Sequence, residues 1–133
     1  MIQEAYVSFE AARLLKEKGF DEECNKVIHQ DTKNEYYFGN YSDDMKGRLL
    51  LVPTQQMTMR WLRENHNIHI VIEPTTAWFG TAMGGEYRMV FEPRIEEWNF
   101  NPPRGHGFPD KRFCSYEEAC EAAIKHCLEH LIG

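Results

Sequence analysis

Between Val52 and Pro74 the hydrophobic period changes once, and that change constrains the fold more than any other feature of the chain. In "VPTQQMTMRWLREN" the apolar residues recur at the helical period of about 3.6, so that Thr58, Met59, Trp61 and Leu62 share one side. Thr54, after Pro53, stands where an N-cap belongs, and a helix is expected from there to about Asn65. After Asn67 the period is two. Ile68, Ile70 and Ile72 alternate with His69, Val71 and Glu73, the pattern of a half-buried strand. A helix written directly into an alternating strand belongs to a mixed α and β fold.

Two further helices are punctuated as clearly. In "SFEAARLLKEKGF" Ser8 can accept from the free amides of a first turn, and Gly19 can take the left-handed conformation that ends a helix, which predicts a helix over 8–18. Its apolar face holds Ala11, Leu14 and Leu15. Near the end of the chain, "SYEE" is a capping box, with Ser115 at the N-cap and Glu118 at N3. Tyr116, Ala119, Cys120, Ala123, Ile124, Cys127 and Leu131 then form an apolar stripe. Glu118, Glu121, Lys125 and Glu129 form the polar face.

"NKVIHQ" and "NEYYFG", separated by the polar "DTKN", are expected as a short hairpin, and "RLLLV" as a strand or the lead-in to the next helix. "EYRMVFEP" alternates again, with Tyr87, Met89 and Phe91 set against Arg88, Val90 and Glu92. The residues before it, "PTTAWFGTAMGG", are expected as a long hairpin loop. A second irregular segment, "PRIEEWNFNPPRGHGFPDKRF", is expected from its four prolines. The order is roughly α-β-β-α-β-β-α. It predicts a single α+β domain over residues 1–133, with a small antiparallel sheet of about four strands packed against two or three helices.

Composition narrows the function classes. The net charge of −6 disfavours a nucleic-acid or anionic-membrane partner, because phosphate neutralisation asks for a basic excess. No apolar run is long enough to span a bilayer, and "MIQEAYVSFEAARLL" carries acids where a signal peptide would be apolar. The four cysteines contain no CxxC pair. A cytoplasmic location follows as the expectation, with the cysteines as small buried hydrophobes.

Candidate sites are few. His66 and His69 have an H-x₂-H spacing, with Cys24 and His29 upstream as possible further ligands, but the pair straddles a helix–strand junction and two surface histidines are the simpler reading, so no metal is assigned. His126 and His130 do not make an HExxH motif. Cys120 and Cys127 sit mid-stripe, and Cys114 has no base beside it, so no catalytic residue and no cofactor is assigned. Gln56, Arg60 and Arg63 fall together on the outer face of their helix, a stripe suited to an anionic or protein partner. Aromatics gather in the two irregular segments: Trp78 and Phe79 in one, Trp98, Phe100 and Phe108 in the other, beside Arg88, Arg104 and His106. Rings beside arginines in loops suit partner contacts; the same rings could instead cover the sheet.

Three segments, "SFEAARLLKEKGFDEEC", "VPTQQMTMRWLRENHNIHIVI" and "SYEEACEAAIKHCLEHLI", together resemble a family of small proteins carried by phages, prophages and conjugative elements of gut bacteria. The family has no assigned activity, so the resemblance implies an origin and transfers no catalytic or ligand residue. The expectation is a non-enzymatic accessory protein working through protein contacts or self-association. The alternatives are a small nucleic-acid-binding protein using Arg60, Arg63 and Arg88, and a small hydrolase whose site the sequence does not assemble.

Overall fold

Each helix starts where a side-chain oxygen takes up a free amide of its first turn. The structure, a computed structural model, describes residues 4–37, 47–107 and 112–132, the side chains of 106 and 107 excepted. Helix α1, Phe9–Glu17, is capped by Ser8, whose Oγ accepts from the Ala11 amide at 3.2 Å, and is stopped by Gly19 at φ 92°. Helix α2, Gln55–His66, is capped by Thr54, whose Oγ1 accepts from the Met57 amide at 3.2 Å. Helix α3, Tyr116–His126, is capped by Ser115, whose Oγ accepts from the Glu118 amide at 3.1 Å. All three satisfy amides that a bare helix end leaves unpaired.

Chain packing divides the molecule into two compact units, Met1–Arg60 with Ile124–Gly133, and Trp61–Ala123. In the first unit, β1 (Lys26–His29), β2 (Glu35–Tyr37) and β3 (Leu49–Val52) form an antiparallel sheet in the order β2-β1-β3. Val27 stands opposite Tyr36 on one side and Leu51 on the other. The β1–β2 turn is held by His29, whose Nδ1 accepts from the amides of Asp31 and Thr32, and by Lys33 at φ 61°. "RLLLV" is thus a strand, β3, and α1 lies against it. Ala11 and Leu15 are fully buried, as are Leu50, Val52 and Leu128.

The second unit holds β4 (Ile68–Thr81), β5 (Gly84–Glu97) and β6 (Arg104–Gly107), antiparallel in the order β4-β5-β6. Its core includes Leu62, Ile68, Ile95 and Ala119. The α+β class expected from the sequence is the class observed; among the described residues there are three helices and, in place of one sheet of about four strands, two three-stranded sheets.

Three local expectations change. "PTTAWFGTAMGG" is not a loop: β4 and β5 stay paired through it to a two-residue turn at Ala82 and Met83, from Pro74↔Phe91 out to Thr81↔Gly84. Thr, Trp and Phe favour the extended backbone, and two of its glycines stand opposite each other at Gly80↔Gly85. A Cβ on Gly85 would run into the Phe79 carbonyl and come within 2.7 Å of the Gly80 Cα, so this close approach needs glycine. Second, four residues of the proline-rich segment make β6, because they lie along the outer edge of β5 and take up its backbone groups. Third, the last helix ends in a π-helical turn, Cys127–Leu131. Leu128 is fully buried there and Leu131 only partly covered, although the stripe expected from the sequence runs through Leu131.

Candidate interaction surface

One face of the β4–β5 ribbon is covered at its base and bare in its outer half. Side chains alternate across it, so Ile68, Ile70, Ile72, Thr76 and Trp78 of β4 share a face with Ile95, Pro93, Phe91, Met89 and Tyr87 of β5. At the base of that face Ile68 and Ile95 are buried. Further out Trp78 is 48% exposed, Met89 62%, Tyr87 72% and Met83 at the turn 95%. The Trp78 and Tyr87 rings meet edge-on at 5.1 Å. The alternation in "EYRMVFEP" therefore runs opposite to the usual reading at this end of the strand. Val90, from the polar set, is buried, while Tyr87 and Met89 stand in solvent.

The edges of the outer ribbon are open as well. A two-residue turn makes Thr81 and Gly84 a hydrogen-bonded pair, so Phe79, Ala77 and Thr75 bond β5, and the residues between them direct their backbone groups outward. Phe91 shows the same phase on β5: it faces outward and exchanges both backbone bonds with Phe113, at 2.8 and 3.0 Å. Among the described residues no strand pairs with the outer edge of β4, and none pairs with β5 between Gly84 and Val90. Pro74 occupies an outward position, where an edge strand tolerates its missing N–H.

The opposite face carries the charge. Phe79 lies under the Arg88 guanidinium at 5.0 Å, and Arg88 Nε donates to Glu86 at 2.6 Å. Arg94 pairs with Glu73 at 2.8 Å and Glu96 at 3.4 Å, and Arg112 with Glu92 at 2.8 Å. The ribbon from Ile68 to Glu97 holds five carboxylates and two arginines. Both arginines are matched by acids on the spot.

The second aromatic group belongs to the corner between α2 and β4. Asn67 turns the chain there at φ 53°, the left-handed position that follows a helix end. Its carbonyl accepts from the Trp98 amide at 2.9 Å and its side chain donates to Asn99 Oδ1 at 3.1 Å, while Asn99 Nδ2 donates to the His66 carbonyl at 2.9 Å. The His66 ring meets Trp61 at 4.9 Å and the His69 ring meets Trp98 at 5.7 Å, so each imidazole is the edge partner of a different indole. Among the described residues no group of three or more His, Cys, Asp or Glu is placed to hold a metal. Arg104 stacks on Phe100 at 3.8 Å. His106 stands opposite Ile95 in β6, with its side chain outside the described set, and Phe108 lies wholly outside the described residues.

The two aromatic groups of the sequence stay apart in the structure, and the first is split across the ribbon. Trp78, Phe79 and Arg88 are on the outer ribbon, with Trp78 and Phe79 on opposite faces; Trp98, Phe100 and Arg104 are at its base. Gln56, Arg60 and Arg63 are all exposed on α2. The thiols offer no ready nucleophile in the core. Burial, aided by Glu22 and Glu23, pushes Cys24 up to about 11, and burial pushes Cys120 up to about 11. A cleft of about 760 Å³ lies beside the segment Glu4–Val7, but its lysine, Lys26, is bonded to Glu35 at 3.0 Å and lies over the Tyr6 ring.

Tyr87, Met89 and Met83 belong to this surface and were not among the candidate contacts. Their signal was present as the opposite phase of two neighbouring segments, but nothing local tells a covered strand from a bare one. Compared with protein-family models, curated proteins and solved structures, the chain matches none.

Proposed function

We propose that the protein is a non-enzymatic interaction module that works through the outer half of the β4–β5 ribbon, docking on protein. The observation that carries this is the bare ribbon itself: Trp78, Tyr87, Met89 and Met83 exposed on one face, with both backbone edges open among the described residues. A two-stranded ribbon is marginal in water by itself. Trp, Tyr and Met are the residues that gather where partners bury surface. An accessory role in a phage or other mobile element is part of the same proposal and rests on the resemblance of the three segments.

The nucleic-acid alternative has in its favour the exposed Arg60 and Arg63 of α2 and the guanidinium–ring stacks Arg88–Phe79 and Arg104–Phe100. The acids of the ribbon outweigh them. Arg88 and Arg94 would have to leave their carboxylates to meet phosphates, within a strand pair that is itself net negative.

A photo-reactive residue tests the proposal directly. Placed at Tyr87, in cells that naturally express the gene, it should cross-link to protein on irradiation. The same residue at Glu17, exposed on α1, should not. Absence of any adduct at Tyr87 would overturn the reading.

A further inference from the structure

We infer that the occupant of the ribbon edge is a second copy of the chain, joined through β4 in antiparallel register about a two-fold axis at Trp78. This rests on the interaction reading above and names its partner. Three observations support it.

The outward backbone groups of the open segment are those of Thr76, Trp78 and Gly80, spaced symmetrically about Trp78. With Trp78 opposite Trp78 of the other copy, Thr76 falls opposite Gly80, and each such pair exchanges both backbone bonds. Pro74 then faces Ala82, in the turn, where no ladder donor is needed. Registers centred nearer the base bring Pro74 into the ladder, and those centred nearer the turn lose Thr76. The Trp78 register therefore keeps every available bond.

Charge favours the same strip. A chain of net charge −6 repels its own copy, yet Pro74 to Gly85 carries no ionisable side chain. Natural edge strands are guarded against self-pairing by charges or inward twists, and this one has only Pro74 at its inner end. Finally, the two-fold sets the Trp78 rings side by side on one face, each beside its own Tyr87, to make a row of four aromatics across a four-stranded sheet. The area is small, so the dimer is a concentration-dependent one.

Sedimentation velocity over a dilution series, read with amide exchange, tests this. The wild type should pass from monomer to dimer, and the Thr76, Trp78 and Gly80 amides should become protected only in the dimer. Thr76→Pro removes an outward N–H, and Trp78→Lys sets like charges across the axis; each should weaken dimerisation by about tenfold or more, with circular dichroism unchanged. A wild type that stays monomeric, or a dimer that both variants leave intact, overturns the self-pairing. If the monomeric chain still cross-links through residue 87 to another protein, the interaction reading survives; with no cross-link either, both fall.

Discussion

Asn67 is the residue on which the α2–β4 corner turns. At φ 53° it sits in a region that costs an L-residue with a Cβ about 1 kcal/mol, and asparagine pays less than most. Asn67→Ala should lower stability by about 1 kcal/mol, whereas Asn67→Gly should hold or raise it, as read from urea midpoints. If both variants fall alike, the side-chain bond to Asn99 outweighs the backbone conformation. The sequence marked this place as a change of period and no more. The fate of His69 was not legible, because its neighbour Trp98 is brought in only when β5 returns to the base of β4, whereas Trp61 and His66 lie on one helix.

At the scale of elements, caps and alternation were legible and coverage was not. Ser8, Thr54 and Ser115 each cap the helix they were expected to cap, since an N-cap is decided by atoms three residues away. In sequence, Pro74 to Gly85 lies between two alternating strands and is expected as a loop. Only pairing reveals that Gly80 and Gly85 permit a close approach of two strands. Gly85→Val should therefore open the end of the ribbon: amides from Phe79 to Glu86 should exchange faster, while the global melting temperature holds, since no residue from Trp78 to Met89 is buried in the core. A cooperative loss of the whole fold would show that the ribbon is part of the core after all. The π turn at Cys127–Leu131 is a similar case, since nothing in "CLEHL" announces a wider helix.

At the scale of the molecule, one ion pair joins distant parts of the chain within the first unit. Lys125 Nζ bonds Glu10 Oε2 at 2.8 Å, and that hydrogen bond, followed by the lysine charge, holds the Glu10 carboxyl below its ordinary value. A carboxyl lowered on folding contributes stability above its unfolded value of 4.5, and the contribution disappears as pH falls through the lower, folded value. Lys125→Met should flatten the acid limb of stability below about pH 4.5 and leave its slope near neutral pH unchanged, measured as urea midpoints against pH. The pair is exposed and the effect is correspondingly small. An unchanged acid limb would assign that limb to other carboxylates.

The sequence by itself determined the α+β class, the three helix starts, the hairpin of β1 and β2, and the buried side of α2. These are set by contacts a few residues apart and by periods that survive without any tertiary partner. It also carried the charge balance that weighs against phosphate. The tertiary structure alone decided which half of the β4–β5 ribbon is covered, that β6 completes its base, and that Tyr87 and Met89 face solvent while Val90 does not. Burial of a strand face depends on what the rest of the chain lays over it, and alternation is the same pattern whether that cover comes from the chain itself or from a partner.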